Sequence, residues 1–402
     1  MNLAASIRAN SFRLAFARFG AQATNLLFVA FAARRLGAAE FGFFSFLAAL
    51  LLVGNTFTTF GTDTLLIREL ARAGTTTDLL QRAFSLQITL SALWVGMTLL
   101  LAPNSLLFLF SFSLFPLALS SVASAVFRAF ERMDLYWQTT LMGSLAQLIA
   151  VLLARDAASL CLFVTLGYLA AALISLAFCS ASFPTLRLLP LLDFRPLLRL
   201  AIPFALLTTL SILSQRLGLF SVTVLIGERE AGYYSAAARL VDGLKLGHYA
   251  VLGALLPALA RAAQDVKRTF RLSFFTLLGF SALLSIALSL TAPLLVTLLY
   301  GSAYVPSIAL LKTLAWALVP YTVSAFLSVE LVSGGHERTL VKAAAVSLGI
   351  FLALYFGLIS TFGLSGAAYA ALMGEILQAA VLILCARRKR RSSDLRPSPC
   401  DL

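Results

Sequence analysis

Runs of about twenty apolar residues recur from one end of the chain to the other, and such runs leave few folds open. A bilayer core of ~30 Å takes ~20 residues of helix to cross. Hydrocarbon offers the backbone no hydrogen-bond partners, so only helices and closed barrels can span it. These runs are too long for barrel strands and do not alternate in polarity, which excludes a barrel. They lie at about 14–33, 42–62, 84–102, 105–127, 137–154, 157–181, 200–226, 232–257, 272–299, 304–329, 343–361 and 364–386, which predicts about 12 transmembrane helices. Composition agrees: 60% of the 402 residues are apolar and 12% are charged. That is about half the usual charged share, too little to cover a water-soluble surface. Disorder is excluded as well, because it needs few apolar residues and many charges. The expected fold class is an all-α polytopic membrane protein.

Basic residues orient it. Of the 31 Lys and Arg, 22 fall at the termini and in every second loop, and four, among them Arg34 and Arg35, fall in the loops between. The positive-inside rule then puts the N- and C-termini in the cytoplasm. The net charge of +14 is thereby assigned to topology rather than to nucleic acid. Arg8, Arg13 and Arg18 lead into a full-length apolar segment, which reads as a retained first span. The tail from Arg387 to Arg391 reads as a basic stop that touches anionic membrane lipid. Cys161, Cys179, Cys385 and Cys400 form no C-x-x-C pair, so neither a metal site nor a disulfide framework is expected.

A repeat divides the chain. Leu36-Gly37-Ala38-Ala39-Glu40-Phe41-Gly42-Phe43-Phe44-Ser45 is echoed 190 residues later by Ile226-Gly227-Glu228-Arg229-Glu230-Ala231-Gly232-Tyr233-Tyr234-Ser235. A second echo pairs Leu70-Ala71-Arg72-Ala73 with Leu259-Ala260-Arg261-Ala262. Six spans precede the repeat point and six follow, so both halves have the same orientation. The expected architecture is two parallel-repeat six-helix lobes, residues 1–185 and 186–386, followed by the cytoplasmic tail 387–402. Parallel two-lobed transporters rock one lobe against the other around a central site. No G-x-x-x-x-G-K-[ST] loop is present to supply nucleotide energy.

The Leu36-Gly37-x-x-Glu40-Phe41-Gly42 turn, the stretch from Gly61-Thr62-Asp63 to Ala71, the Gly232-Tyr233-Tyr234-Ser235 start and the Leu298-Leu299-Tyr300-Gly301-x-x-Tyr304 turn carry a resemblance. The chain resembles the polysaccharide (O-antigen type) flippases of the multidrug/oligosaccharidyl-lipid/polysaccharide exporter superfamily. The resemblance covers nearly everything before residue 386. It implies a multi-pass protein of the cell inner membrane that flips a lipid-linked oligosaccharide, carried on an isoprenoid pyrophosphate, from the cytoplasmic to the outer leaflet. It also implies a place in lipopolysaccharide or other surface polysaccharide synthesis, with polysaccharide polymerase machinery as a partner. Where such relatives carry an acidic residue late in the seventh span, this chain has Arg216.

Charges within the predicted spans mark candidate sites, because a charge at mid-bilayer costs ~2.5–3.5 kcal/mol and therefore faces a cavity or a partner. The cations are Arg18, Arg216, Arg239, Lys245 and Lys312. In the eighth span Arg239, Asp242, Lys245 and His248 recur every third residue, a slowly winding stripe about 13.5 Å long. Arg239 with Asp242, and Asp242 with Lys245, are spaced to pair along one helix. The remaining positive charge suits a pyrophosphate, which Arg grips bidentately. The other reading is a helix that neutralises its own charges. Arg18 and Lys312 are also spaced to snorkel to the headgroups. Asp63 and Glu330 lie near cytoplasmic helix ends, where solvation is expected. Glu375 is deep in the last span, as a coupling site for proton or sodium or as a hydrogen-bond partner between helices. Asp242, Glu375, Asp63 and His248 are thus the coupling or charge-balancing candidates.

Other classes compete. A multidrug/toxin-extrusion-like exporter of cations would want an acidic cavity, whereas the intramembrane charges here sum positive. A membrane glycosyltransferase or polymerase would need an acidic metal motif or a long outer loop with Arg and His; the chain has no Asp-x-Asp and two histidines. No catalytic residue, metal or cofactor is therefore assigned.

Overall fold

The computed structural model describes residues 3–73, 77–102, 105–183, 194–261, 266–333 and 336–394. The Pro103-Asn104 turn, the expected 185/186 boundary, Ala262 of the second echo and the end of the tail lie outside these, as do the side chains of Arg18 and His248. Among the described residues there is no strand. The helices are α1 (Leu3–Thr59), α2 (Thr62–Ala73), α3 (Thr77–Leu101), α4 (Leu106–Ser111), α5 (Leu114–Ala129), α6 (Met133–Leu153) and α7 (Ala157–Ser182). They continue as α8 (Arg195–Leu225), α9 (Glu228–Arg261), α10 (Val266–Tyr300), α11 (Pro306–Ala315), α12 (Leu318–Ser333) and α13 (Glu337–Asp394), with a 3-10 turn at Ser302–Tyr304.

Among the described residues, seven helical stretches suit a membrane crossing by length and composition, or eight if Pro306–Ala315 and Leu318–Val332 form one span bent by 41°. Two of the seven, Gly20–Arg72 with 53 residues and Arg338–Arg388 with 51, each hold two of the predicted segments, so with the bent pair ten of the predicted twelve have a counterpart, and those at 137–154 and 232–257 do not. At 1.5 Å per residue, either of the two long stretches would run about 80 Å as one rod, more than twice the hydrocarbon thickness. Each is interrupted at a glycine: Gly37 has φ 75 and ψ 174, and Gly363 has φ 56 and ψ −136. Gly37 occupies a region essentially closed to residues with a Cβ. Its counterpart in the echo, Gly227, also has positive φ, at 134. Gly37→Ala is expected to cost about 1–3 kcal/mol through backbone strain alone. Thermal unfolding in detergent checks it, since nothing lies within 4 Å of the added methyl to confuse the reading.

Two compact units emerge, Met1–Ile212 and Leu213–Leu402. In the first, Leu66, Leu80, Leu86, Val122, Val126 and Phe127 form a core with no exposed surface. In the second, Tyr300, Tyr304, Leu311 and Phe326 are the large buried side chains. Outward faces are apolar as well: Leu290, Leu294 and Leu298, spaced by four along α10, are 76%, 64% and 64% exposed. A stripe of bare leucine suits lipid rather than water. Helix α10 runs on through Pro293. Hydroxyls within the helices commonly return their protons to a carbonyl of the preceding turn, as Thr24 does to Gly20 and Ser281 to Leu277. This satisfies them without water.

Charge also organises the turns. Arg35 Nη1 donates to the carbonyl of Leu152 at 2.6 Å, and Glu40 Oε2 accepts from the backbone N–H of Ala157 at 2.8 Å. A cation thus meets the C-terminal end of α6 and a carboxylate the N-terminal end of α7, each matching the helix dipole. Asp156 completes the start of α7 with a capping box: its side chain accepts from the Ser159 N–H, and Ser159 Oγ accepts from the Asp156 N–H. The Ser159 hydrogen bonds hold the Asp156 carboxyl below its ordinary range. A folded-state value that is lowered contributes stability above the unfolded value and loses it as pH falls through the folded one. Acid is therefore expected to loosen this cap by a small amount, and Asp156→Asn, which still caps, is expected to remove that acid dependence. Unfolding midpoints of the two proteins at neutral and acidic pH measure it.

Candidate functional site

The charges of the second unit pair between helices. Arg216 on α8 places Nη1 3.4 Å from Asp242 Oδ2 on α9. Lys245, one turn further along α9, donates from Nζ to Glu375 Oε1 on α13 at 2.8 Å. The same ammonium stands 4.7 Å from the centre of the Tyr321 ring on α12, a cation–π contact. Side-chain exposures are 15% and 35% for Arg216 and Asp242, and 19% and 11% for Lys245 and Glu375. The Lys–Glu pair is the more enclosed of the two. Placing the opposite charge on a neighbouring helix offsets desolvation and locks the helices together. Pairing within one helix would do only the former.

This arrangement differs from the pattern along the eighth span, where Asp242 is spaced to serve Arg239 and Lys245. Here Asp242 meets Arg216, and Lys245 reaches Glu375. Arg216 is thereby matched by an acid on the next helix. Arg239 lies one turn before Asp242, half-buried, and acts electrostatically on Tyr300. The formal charges of Arg216, Arg239 and Lys245 against Asp242 and Glu375 sum to +1. Two atoms of this set, Arg216 Nε and Glu375 Oε2, are buried with no hydrogen-bonding partner. Arg216 therefore keeps a donor in reserve beyond its contact with Asp242.

A pair of tyrosines backs the charges. Tyr234 Oη on α9 lies 3.2 Å from Tyr355 Oη on α13, fully inside the unit. Asp242, Lys245 and Arg216 act on Tyr234, and Glu375 and Asp242 act on Tyr355. Gly218 on α8 makes the room: a methyl there would lie 2.2 Å from Tyr234 Oη and 2.6 Å from Tyr355 Oη. Neither tyrosine nor Tyr321 was singled out as a site residue by sequence. Tyr234 sits inside the repeated turn motif, which was the one available signal.

The remaining candidates lie elsewhere. Lys312 is on the exposed face of α11 with Trp316, and its carbonyl accepts from Ser289 on α10. Asp63 belongs to the first unit, where it accepts from Ser121 on α5 at 2.5 Å, so this helix end is built into the protein rather than solvated. Arg18 and His248 have side chains outside the described residues. Among the described residues no three His, Cys, Asp or Glu side chains converge to hold a metal ion.

A family model described as Polysaccharide biosynthesis protein matches residues 7–263. No curated protein matches the chain. Among solved structures, the fold is similar to a multidrug resistance MATE family transporter of the MOP superfamily in an inward-facing conformation. That likeness has 16% identity and a TM-score of 0.75, over 96% of this chain and 99% of that one. It is similar to the lipid II flippase MurJ in an inward closed conformation at 12% identity and a TM-score of 0.78, over 93% and 87%. It is also similar to a MOP superfamily transporter from Pyrococcus furiosus, noted for reverse polarity of its binding pocket, at 14% identity and a TM-score of 0.65, over 97% and 96%. Identities this low speak for the fold alone.

Proposed function

The chain belongs to the polysaccharide biosynthesis protein family and has the multi-pass helical fold of MOP superfamily transporters, and from this premise we propose that it flips a lipid-linked oligosaccharide across the cell inner membrane. The cargo travels from the cytoplasmic to the outer leaflet on an isoprenoid pyrophosphate, and both chain termini stay in the cytoplasm. Six crossings in each half supply the two lobes, which alternate access to the cargo. A polymerase that extends surface polysaccharide is the natural consumer of the flipped product.

One observation carries this reading: the Arg216, Asp242, Lys245 and Glu375 cluster sits in an apolar unit with Arg216 Nε buried and unpartnered, and with Arg239 one turn along α9 the formal charges of the five side chains sum to +1. An anionic headgroup completes that charge, and a guanidinium with a donor to spare suits phosphate oxygens. Removing two of the cations reverses the sign. Arg239→Ala/Lys245→Ala is expected to abolish surface polysaccharide while the protein remains in the membrane. Lipid-linked sugar should then accumulate on the cytoplasmic leaflet. Normal export by that double variant refutes the cargo site.

The second reading is a small-molecule exporter, favoured by the near-complete coverage of the MATE family structure. Loss of drug resistance with unchanged surface polysaccharide, on deletion of the gene, selects it. The Pyrococcus furiosus neighbour is described as differing in pocket polarity, and polarity is the property on which the two readings part here.

A further inference from the structure

One end of unit 1 gathers three arginines that the charge cluster of unit 2 does not involve. Arg34 and Arg35 precede the break of α1 at Gly37, and Arg155 lies in the turn between α6 and α7. Gly37 divides the long Gly20–Arg72 stretch, and Arg155 stands two residues before the Ala157–Ser182 stretch. Residues at the ends of crossings lie at headgroup depth. Two hydrogen bonds join these places into one surface, from Arg35 to the Leu152 carbonyl and from the Ala157 N–H to Glu40. All three arginines are exposed. They are three of the four basic residues in the set of loops where Lys and Arg are scarce. Topology alone is served by leaving such loops free of cations.

The repeat supplies an internal control. At the offset of 190 residues, Arg34 and Arg35 match Val224 and Leu225, which lead into Gly227 as the arginines lead into Gly37. Both are exposed, Val224 to 72%. Unit 2 therefore builds the same turn with bare apolar side chains at these positions, so neither the break nor its positive φ requires a cation. The acids beside the arginines are directed at the start of α7: Glu40 accepts from the Ala157 N–H and Asp156 from the Ser159 N–H.

Next to the arginines the surface is apolar. Phe31 and Leu27, four and eight residues before Arg35 on α1, are exposed and share its helix face. Helix α1 packs against α6, where Ile149 and Leu153 are exposed. Cations at the end of a bare apolar face match an amphiphile, with a phosphate for the guanidinium groups and acyl chains for the leucines. An acidic soluble partner would use the first and leave the second uncovered.

We propose that this end of unit 1 binds an anionic phospholipid, with Arg34, Arg35 and Arg155 around the headgroup phosphate and the chains along Leu27, Phe31, Ile149 and Leu153. Arg35 is the anchored member, since the Leu152 carbonyl takes one of its five donors and leaves a planar fork beside it. All three cations are arginine, the side chain that grips phosphate oxygens bidentately. Each adds about fivefold to the preference for anionic lipid, the equivalent of about 1 kcal/mol. Neither the flippase reading nor the choice of membrane face enters the argument.

The full chain in phosphatidylcholine nanodiscs, without cargo, tests it, so its failure and that of the flippase reading are separate. The probe is a trace of phosphatidylglycerol with a photoreactive diazirine on one acyl chain. Peptide mass is expected to place the label on α1 near Leu27 and Phe31 and on α6 near Ile149 and Leu153, against the excess of zwitterionic lipid. Unlabelled phosphatidylglycerol should displace it, and inorganic phosphate should not. Arg34→Gln/Arg155→Gln is expected to raise the phosphatidylglycerol fraction for half-displacement about twentyfold. Arg35 is left in place because it also holds α6. Arg68→Gln/Arg72→Gln, which removes exposed cations elsewhere in unit 1, should change nothing at these helices. Arginines that merely snorkel take any headgroup, so label spread evenly over the helices overturns the proposal. So does label undiminished in Arg34→Gln/Arg155→Gln, or label displaced by inorganic phosphate. No label at this end leaves the arginines to an acidic protein and overturns it as well. Should the double variant fail to fold, the site of labelling and its displacement on the native chain decide.

Discussion

Lys245→Ala is expected to lose export and to destabilise the second unit by about 3–5 kcal/mol, the usual cost of leaving one partner of a buried ion pair alone. Glu375 would then stand with neither oxygen partnered, since Oε2 is already without one. The cost should be largely recovered in Lys245→Ala/Glu375→Ala, because replacing both members of a buried pair with apolar groups is often neutral. Export should not recover with it, because the cation that attracts the cargo is gone. Thermal unfolding in detergent reads the first quantity and surface polysaccharide the second. Recovery of both would mean that the pair serves packing alone.

Gly218→Ala is expected to be nearly as damaging, although it adds one methyl. That methyl would lie 2.8 Å from Tyr234 Cζ as well as against both hydroxyls. Each tyrosine is anchored on its own helix, α9 or α13, so relief requires α8 to move from α9 or the rings to leave their rotamers. Overpacking of this kind costs about 1–3 kcal/mol. It would also shift Arg216, two residues earlier, relative to Asp242. Pairing Gly218→Ala with Tyr355→Phe separates the effects. If the hydroxyl contact is what forbids the methyl, removing one hydroxyl should restore part of the midpoint. No recovery would point to Tyr234 alone.

Much of the architecture could be read from the residues because the bilayer imposes a length rule. Each apolar run had to become helix, and the glycines at 37 and 363 had to interrupt the long ones. The count of crossings was less direct, since α11 and α12 divide one predicted segment and since single helices hold two. The site was legible in its residue types and not in its contacts. Arg216, Asp242, Lys245 and Glu375 stood out as charges in hydrocarbon. Their partners lie 26 and 130 residues apart, where spacing along one helix carries no information. Helical periodicity assigned Asp242 to its own helix; the packing of α8 beside α9 gave it another partner. Gln87 and Thr62, which join Ser121 beside Asp63, were invisible for a different reason. Single uncharged polar residues are common in membrane helices, and their weight appears only when three helices bring them together around an acid.

The breaks at Gly37 and Gly363 bear on how the protein is made. A hydrophobic stretch twice the thickness of the bilayer, hinged on one residue, leaves no stretch of loop in which the ribosome and translocon could pause between its two limbs. The first limb cannot settle before the second has emerged, so both ends of this polypeptide are expected to partition into lipid as preformed hairpins. An epitope or glycosylation acceptor spliced beside either glycine should consequently impair biogenesis far more than the same insertion beside Arg155, in the turn between α6 and α7.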